Sequence, residues 1–401
     1  MAMTPSLLLS LSFSTNNPKG CSFPDRRGRF TTRSAPLPFS TPAASASSRV
    51  GMVFDIGPAC SWDSRDIGSP VVKRYLGDDE ERWLMWYHGS GEDADGDSIG
   101  MAVSKDGIHW KRGAAAVSSS DDVGQVMLCS SDWWAFDTSS IRPSEVLIMS
   151  SDKLTASGAV YWLYYTGFNQ EKLDVPGEGA GDISRPQLMS LPGLAISQDG
   201  RYWARIEGEH HSGALFDVGS EGEWDSLYVA SPQVVYHGRG DLRMYYHSFD
   251  QRNMQYAIGI ARSGDGIRWV KLGKVLCGGA ARSFDQAGVR NAHVVRNQKD
   301  GSYLMVYEGV SMDGRIHIGL AASSDGLKDW RRCRDEAIFK PSTHEEGWDN
   351  RGVSAPCLLQ VMDGGREEWR LYYTGIGKNG RTSIGMAVSE GPEISNFNRW
   401  V

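Results

Sequence analysis

Three carboxylate side chains at recurring places in the sequence, Asp66, Glu145 and Glu308, could carry acid–base or nucleophilic chemistry. Guanidinium and imidazole groups occur at the neighbouring places, where they could donate hydrogen bonds to polar or anionic groups of a ligand. These candidate binding residues are Arg142, Arg290, His88, His247 and His293. Carboxylates beside such donors are typical of a pocket that binds a polar molecule.

The candidates stand at fixed positions of an internal repeat. Five segments start with an aromatic residue and Asp, continue with Ile or Val four residues after the Asp, and reach Pro or a small residue three residues later. They begin at Trp62 (WDSRDIGSPVV), Phe136 (FDTSSIRPSEV), Trp224 (WDSLYVASPQV), Phe284 (FDQAGVRNAHV) and Trp348 (WDNRGVSAPCL). The spacing holds in every copy without a gap, so the chain is built from five equivalent units.

Each repeat continues with an aromatic run such as YWLYYTG and then with a Gly-containing run such as SIGMAVSKDGIHW. Short runs rich in Val, Ile, Tyr and Trp between Gly and Asp predict strands, and Asp-Gly ahead of Trp predicts a tight hairpin. We therefore predict an all-β fold, a five-bladed β-propeller with four antiparallel strands in each blade. The predicted blades span approximately 62–118, 136–208, 224–276, 284–339 and 348–401.

The two ends of the predicted domain should meet. The C-terminal NFNRWV supplies the outer strand of the fifth blade, and the chain resumes at Val53 beside it. Such a junction closes the ring and leaves no open sheet edge. The seven-bladed Trp-Asp repeat is a poorer match, because there the pair closes a unit of ~40–45 residues, whereas here it opens a longer one.

Positions that differ between the five copies are the functional candidates, since features common to all copies are expected to be structural. Three positions near the predicted axis vary, and their residues follow in chain order. The first position holds Gly68, Arg142, Ala230, Arg290 and Ser354, and the second holds Val71, Glu145, Gln233, His293 and Cys357. The third holds His88, Thr166, His247, Glu308 and Thr374. The alternative is that these polar groups pair with one another in a water-filled channel. Trp133 and Trp134, in an insertion before the second blade, are candidates for stacking against a ligand.

Two sets of Asp are predicted to be structural because they recur. The Asp of each aromatic-Asp pair should hold the turn into the first strand through backbone N–H groups, and the Asp of each Asp-Gly pair should form a hairpin turn. The first set is Asp63, Asp137, Asp225, Asp285 and Asp349, and the second is Asp106, Asp199, Asp265 and Asp325.

Residues 1–50 have a composition unlike the rest of the chain. They hold ten Ser, five Thr, five Arg and one Lys, but a single acid, Asp25. This composition is typical of an organelle transit peptide, so we expect a removable leader at 1–50, a domain at 51–401 and location in the chloroplast stroma. A secretory signal is the alternative, although no Lys or Arg precedes the apolar run. No apolar run reaches the ~18 residues of a membrane span.

The charge and the cysteine content of residues 51–401 limit the kinds of binding partner and cysteine site that we expect. This part has 36 basic and 48 acidic side chains, a formal charge of −12, which disfavours nucleic acid. Its five Cys have no close pair and no metal-ligand spacing, so free thiols are expected and no metal site is indicated. We expect a monomer.

Residues 53–401 resemble the five-bladed propeller superfamily of arabinanases, levansucrases and invertases, glycoside hydrolase families 43, 68 and 32. The resemblance lies in the SIGMAVSKDGIHW hairpins, the YYTG strands and the SPQVV and GSPVV first strands. It implies an oligosaccharide or glycoside as ligand. In related arabinanases an axial His lies near a bound cation, so the resemblance implies a cation near His293. No other cofactor is expected.

The resemblance also implies three carboxylates on the first strands of blades 1 to 3, and this sequence departs from that pattern. The matching positions hold Ser69, Pro143 and Ala230, although Arg142 matches the Arg of the invertase branch. Hydrolysis would then need a relocated set drawn from Asp66, Glu145 and Glu308, since it requires one protonated and one ionised carboxyl group.

Three functions therefore remain open at the level of sequence. They are a glycosidase or transglycosidase with a relocated acid and base, a carbohydrate-binding propeller without catalysis, and a plastid scaffold that binds protein. An acid-poor pocket with exposed Trp would favour the second, and a plugged funnel with an apolar rim would favour the third.

Overall fold

The described residues form 22 β-strands joined by turns and connecting segments, and they contain no α-helix. The computed structural model describes residues 49–76, 81–94, 96–119, 122–149, 160–175, 187–390, 394 and 396–401. Nearly all of the predicted leader lies outside these residues. Within them there is no helix long and apolar enough to cross a membrane.

The first two repeats form two antiparallel four-stranded units. Unit 1 consists of β2 (Asp66–Leu76), β3 (Glu81–Ser90), β4 (Ser98–Ser104) and β5 (Trp110–Lys111). Unit 2 consists of β7 (Ser140–Met149), β8 (Val160–Leu173), β9 (Gln187–Ser197) and β10 (Ala204–Ile206). Between them, β6 (Gly124–Met127) also pairs with β4.

The remaining repeats form three more units of the same kind. Unit 3 consists of β11 (Ala230–Gly238), β12 (Asp241–Asp250), β13 (Gln255–Ser263) and β14 (Val270–Leu276). Unit 4 consists of β15 (Gly288–Arg296), β16 (Tyr303–Val310), β17 (Ile316–Ser323) and β18 (Arg331–Arg332). Unit 5 consists of β19 (Gly352–Asp363), β20 (Arg366–Ile376), β21 (Thr382–Glu390) and β22 (Asn398–Arg399). The predicted order of strands within a repeat is therefore observed.

Backbone hydrogen bonds join the units into three separate sheets. Units 1 and 2 are each a sheet of their own, whereas parallel bridges at Tyr256–Gly288 and Ile316–Gly352 link units 3, 4 and 5. The strand that precedes unit 1, β1 (Met52–Phe54), pairs with β21 of unit 5. The two ends of the described chain thus meet in one sheet.

Side-chain packing continues where the sheets are interrupted. Five hydrophobic clusters lie between units 1 and 2, 2 and 3, 3 and 4, 4 and 5, and also 5 and 1. The first strands β2, β7, β11, β15 and β19 contact one another in that order, and β19 contacts β2. Burial of large aromatic and aliphatic side chains between neighbouring units supplies the main stabilisation of such a repeat arrangement.

The repeated Asp residues are buried, but their partners differ from those expected from the sequence. Each accepts a hydrogen bond from a Tyr hydroxyl of the second strand and pairs with a cation near the outer strand, rather than capping backbone N–H groups. We call these sets the Asp–Tyr–cation triplets, and they are Asp63–Tyr87–Arg112, Asp137–Tyr165–Arg205, Asp225–Tyr246–Lys271, Asp285–Tyr307–Arg332 and Asp349–Tyr373–Arg399. Their structural role agrees with the sequence prediction.

The second set of repeated Asp residues forms the predicted hairpin turns. In the sequence Ser-x-Asp-Gly, the Asp carboxylate accepts N–H groups two and three residues later, as Asp265 does from Ile267 at 2.9 Å and Arg268 at 2.8 Å. The following Gly has positive φ, +81° at Gly266, where a Cβ would also clash with Trp162. The same turn occurs at Asp106, Asp199 and Asp325.

Candidate functional site

The first strands of four units each carry a strained backbone position where the strand register shifts. Ser69, Ser231, Asn291 and Ala355 have φ between +44° and +53°, a region that costs energy for residues other than glycine. The strand register shifts at each of these places. In unit 2 the matching residue is Pro143, whose ring does not permit positive φ. The four bulges share one conformation, and unit 2 departs from it.

A polar side chain from the preceding unit holds each of the four bulges. It accepts the backbone N–H of the strained residue and so links two consecutive units. The four inter-unit ties are Thr374 Oγ1 to Ser69 at 3.0 Å, Thr166 Oγ1 to Ser231 at 2.8 Å, His247 Nδ1 to Asn291 at 3.3 Å, and Glu308 Oε1 to Ala355 at 2.6 Å. His247 and Glu308 were candidate site residues on sequence grounds, and the structure gives both a role in joining units.

The junction between units 1 and 2 is built differently. The residue matching the tie is His88, but Pro143 has no N–H to donate to it. Arg142 of β7 instead reaches back to unit 1, with Nε at 2.8 Å and Nη2 at 2.7 Å from Asp97 Oδ2. Sequence reasoning missed Asp97. The signal was available, because the matching positions in the other units hold Ser190, Tyr256, Ile316 and Thr382, so Asp97 is the acid that breaks the symmetry.

Arg142 remains accessible although its partner is buried. The Arg142 side chain is 37% exposed, whereas Asp97 is 1% exposed. Burial would lower the pKa of Arg142, but Asp97 and then Asp66 raise it, so the guanidinium stays charged. Asp66 is half-buried and accepts a hydrogen bond from Thr382.

Arg290 in unit 4 also pairs with a buried carboxylate, in this case one from its own unit. Its Nε donates to Glu308 Oε2 at 2.8 Å, and its side chain is 23% exposed while Glu308 is fully buried. Arg290 acts on the pKa of Arg142, so the two guanidinium groups are near enough to interact. The structure therefore places two partly exposed arginines on the first strands β7 and β15, each paired with a buried carboxylate.

Glu308 is saturated with hydrogen-bond donors. Besides Arg290 and the tie from Ala355, it accepts Asn291 Nδ2 at 2.5 Å and Ser354 Oγ at 2.7 Å. Burial would raise the pKa of Glu308, but Arg290 and these hydrogen bonds outweigh it and lower the pKa. The carboxylate is thus ionised at neutral pH and is not available as a proton donor.

A second polar layer surrounds Glu145. This side chain is 2% exposed, forms an ion pair with Lys73, and accepts Gln233 Nε2 at 2.7 Å and the N–H of Val146 at 2.9 Å. Burial would lower the pKa of Lys73, but Glu145 outweighs it and raises the pKa, so the Lys73 ammonium stays charged. The charged and polar groups of this layer therefore pair with one another.

His293 lies in the same layer. Its Nε2 is 3.8 Å from Glu145 Oε2 and 3.6 Å from Cys357 Sγ, and its Nδ1 accepts the N–H of Leu358 at 3.3 Å. Burial, assisted by Lys73, lowers the pKa of His293 to about 4, so the imidazole is neutral at pH 7. The described residues contain no group of three or more His, Cys, Asp and Glu side chains arranged to hold a metal ion.

Trp133 and Trp134 lie on the segment between β6 and β7. Their exposures are 90% and 42%, so both indoles face solvent to a large extent. Among the described residues, the contacts that join the axial arginines, histidines and carboxylates include neither indole. The structure thus brings together the charged candidates and leaves the two Trp on the surface.

No model of a known protein family matches the chain. Two uncharacterised proteins of Mycobacterium tuberculosis, from strains H37Rv and CDC 1551, are each 29% identical to it over 248 and 251 residues. Each alignment covers 60% of this chain and 71% of the mycobacterial protein.

The fold is similar to several solved structures at low sequence identity. One of them carries the description that the GH130 family of mannoside phosphorylases contains glycoside hydrolases that target beta-1,2 mannosidic linkages in Candida mannan. Its TM-score is 0.57 at 16% identity, and the match covers 90% of this chain and 98% of the other chain. A glycosyl hydrolase from Bacteroides ovatus has a TM-score of 0.57 and 16% identity, with coverage of 87% and 94%.

An N-acetylgalactosamine deacetylase from F. plautii, in complex with blood group B trisaccharide, is similar as well. Its TM-score is 0.56 at 14% identity, with coverage of 86% of this chain and 96% of the deacetylase. The chain therefore shares the fold of these proteins over most of its length, and the fold accommodates different reactions.

Proposed function

We propose that units 1 to 5 are the blades of a five-bladed β-propeller closed by the two ends of the domain. Three observations support the proposal. The hydrophobic clusters form a continuous series that includes one between units 5 and 1. The first strand of unit 5 contacts that of unit 1. The pairing of β1 with β21 adds the N-terminal segment to the last unit.

The axial region of this propeller binds a carbohydrate. The observation that carries the proposal is the pair of partly exposed arginines, Arg142 and Arg290, each fixed by a buried carboxylate. A guanidinium held in this way is preorganised, so it can donate to ligand hydroxyl or anionic groups with little further loss of side-chain entropy. The names of the similar structures, which mention mannan and a trisaccharide, support a sugar as the ligand class.

Binding without hydrolysis fits the carboxylates better than the glycosidase alternative. The three positions implied by the arabinanase, levansucrase and invertase resemblance hold Ser69, Pro143 and Ala230. Glu145 and Glu308 are buried and already paired, so neither offers the accessible acid that hydrolysis requires. The function supported best is recognition of an oligosaccharide or glycoside.

Hydrolysis or transglycosylation remains the second candidate because of Asp66. It is a half-buried carboxylate that accepts a hydrogen bond from Thr382 and raises the pKa of Arg142. A water or sugar hydroxyl next to Asp66 could lose a proton to it. The test is incubation of the full chain with plant cell-wall and plastid glycans, followed by chromatography of the products. If cleavage occurs and Asp66→Asn retains it, Asp66 has no role in the reaction.

The test of the binding proposal is a glycan array probed with the full chain and with an Arg142→Ala variant. We expect saturable binding that falls more than about tenfold in the variant, since hydrogen bonds from a charged donor contribute about 1.5–3 kcal/mol. An array on which the wild-type protein binds nothing contradicts the proposal.

A further inference from the structure

A cavity of about 450 Å³ lies in unit 3, and neither Arg142 nor Arg290 lines it. Its walls come from the connection at Glu221 to Asp225, the turn at Asp250 to Asn253, and β14. Pockets of about 300–1,000 Å³ accommodate small ligands in proteins. The volume is therefore sufficient for a sugar ring.

The cavity coincides with a departure from the repeat. Four of the Asp–Tyr–cation triplets contain an Arg that also donates to a backbone carbonyl: Arg112 to Asp55, Arg205 to Leu128, Arg332 to Cys277 and Arg399 to Lys340. Unit 3 has Lys271, which contacts Asp225 Oδ2 at 2.9 Å and lacks the forked group needed for the second contact. Its outer strand β14 is also longer, with seven residues against two or three in the other units. The outer strand of unit 3 thus differs from those of the other four units in its length and in the cation that pairs with the repeated Asp.

The charges around the cavity nearly balance. Four acids and three cations line it, so the wall has a formal charge of −1 and no excess of positive charge that would select an anion. Asp250 is already satisfied by Lys274 Nζ at 2.7 Å and Asn253 Nδ2 at 2.7 Å, and Asp225 by Lys271. The ligand chemistry that matches such a wall is neutral and offers both donors and acceptors.

Two further features of the wall favour a ring with several hydroxyl groups. Trp224 contributes an aromatic surface beside the polar groups, as in sites that accommodate the C–H face of a sugar. Gly273 has open space where a Cβ would lie, so the strand presents bare backbone to the cavity. We propose that this cavity is a second ligand site, one that takes a small neutral carbohydrate independently of the axial arginines.

Lys271→Arg tests the site, because it installs the residue of the other four triplets and places a larger forked group in the wall. The matched control is Arg332→Lys, the reverse exchange in unit 4. The probes are D-glucose, D-galactose, D-mannose and L-arabinose, measured with the full chain by ligand-observed saturation-transfer NMR. D-Galacturonate and D-glucosamine serve as charged comparators.

We expect at least one neutral sugar to bind, with an affinity that falls about tenfold or more in Lys271→Arg and changes less than about twofold in Arg332→Lys. An Arg142→Ala variant should retain this binding, which separates the site from the axial one. If Lys271→Arg does not fold, Arg252→Ala replaces it, since Arg252 is an exposed side chain over Gly222 at the cavity. The proposal is overturned if none of the neutral sugars binds, if only a charged comparator binds, or if the variant at the cavity binds as the wild type does.

Discussion

Thr374 Oγ1 accepts a hydrogen bond from the backbone N–H of Ser69 at 3.0 Å, across 305 residues of sequence. This contact joins unit 5 to unit 1 in the same way as the inter-unit ties join units 2 to 3, 3 to 4 and 4 to 5. The strained backbone of each bulge thus has a fixed partner in the neighbouring unit, and the first and last units are joined by the rule that joins the others.

Replacing Thr374 by Val should weaken the junction without changing its shape. Val keeps the volume but cannot accept the Ser69 N–H, so the free energy of unfolding should fall by about 1 kcal/mol. Urea denaturation measures the change, and Thr166→Val, the tie from unit 2 to unit 3, serves as the matched control with a similar loss. Unchanged stability in both variants would show that the ties do not stabilise the junctions.

The Asp–Tyr–cation triplets outside unit 3 should affect stability and not ligand binding. Asp137→Ala and Asp349→Ala each leave a buried Tyr hydroxyl and a partly exposed cation without their carboxylate, which should cost about 2–3 kcal/mol. Thermal unfolding and the glycan array should be measured on the same samples. Loss of binding with an unchanged melting temperature would mean that a triplet belongs to a ligand site.

Stability should fall as the pH falls from about 6.5 toward 4. Burial, with Arg290, lowers the pKa of His247 to about 3, and burial, with Lys73, lowers that of His293 to about 4. Both imidazoles are neutral in the folded protein over this range, while the unfolded chain takes up their protons. Each histidine should contribute a slope of about 1.4 kcal/mol per pH unit.

His247→Asn isolates one of these histidines, because the Asn oxygen can still accept the Asn291 N–H but does not titrate. Denaturation at several pH values should show a slope smaller by about one proton in this variant. An identical slope in wild type and variant would mean that His247 titrates normally in the folded protein.

Removal of residues 1–50 should leave the fold intact. The described strands begin at Met52, and the contacts of β1 with β21 lie beyond the predicted leader. The protein without the leader should unfold cooperatively at nearly the same temperature as the full chain, because it loses the hydrogen bond from Trp348 Nε1 to the Val50 carbonyl but keeps the pairing of β1 with β21. Removal of residues 51–62 as well should lower that temperature. A fluorescent protein fused after residue 50 tests the proposed plastid location, and secretion of the fusion would support the alternative.

Local patterns in the sequence were sufficient to predict the strands and turns. The Asp-Gly hairpins depend on residues two or three positions apart, so Asp265 and its N–H partners could be predicted directly. The repeated Asp residues are buried and paired in every unit, but their partners could not be predicted, since Tyr246 lies 21 residues from Asp225 and is brought close by the pairing of strands.

The candidate site was harder to predict from the sequence, because its geometry depends on tertiary contacts. Comparison of the five copies singled out Arg142 and Arg290 as symmetry-breaking residues, and the structure shows both partly exposed. Asp97, just before the third strand of unit 1, also differs from its counterparts in the other units, but it was not among the predicted site residues. Positive φ at Ser69, Ser231 and Ala355 could not be expected either, because each precedes Pro, a position that ordinarily favours extended backbone.

The measurement that tests the central claim most directly is glycan binding by a charge-neutral replacement of the axial pair, Arg142→Met with Asp97→Asn. Removing both charges leaves no buried carboxylate uncompensated, so the fold should survive. Arg205→Met with Asp137→Asn removes an equivalent pair from a triplet and is the control. Isothermal titration with the best glycan from the array should show at least a tenfold loss of affinity in the axial variant and near-wild-type affinity in the control. Wild-type affinity in a folded axial variant would contradict the account.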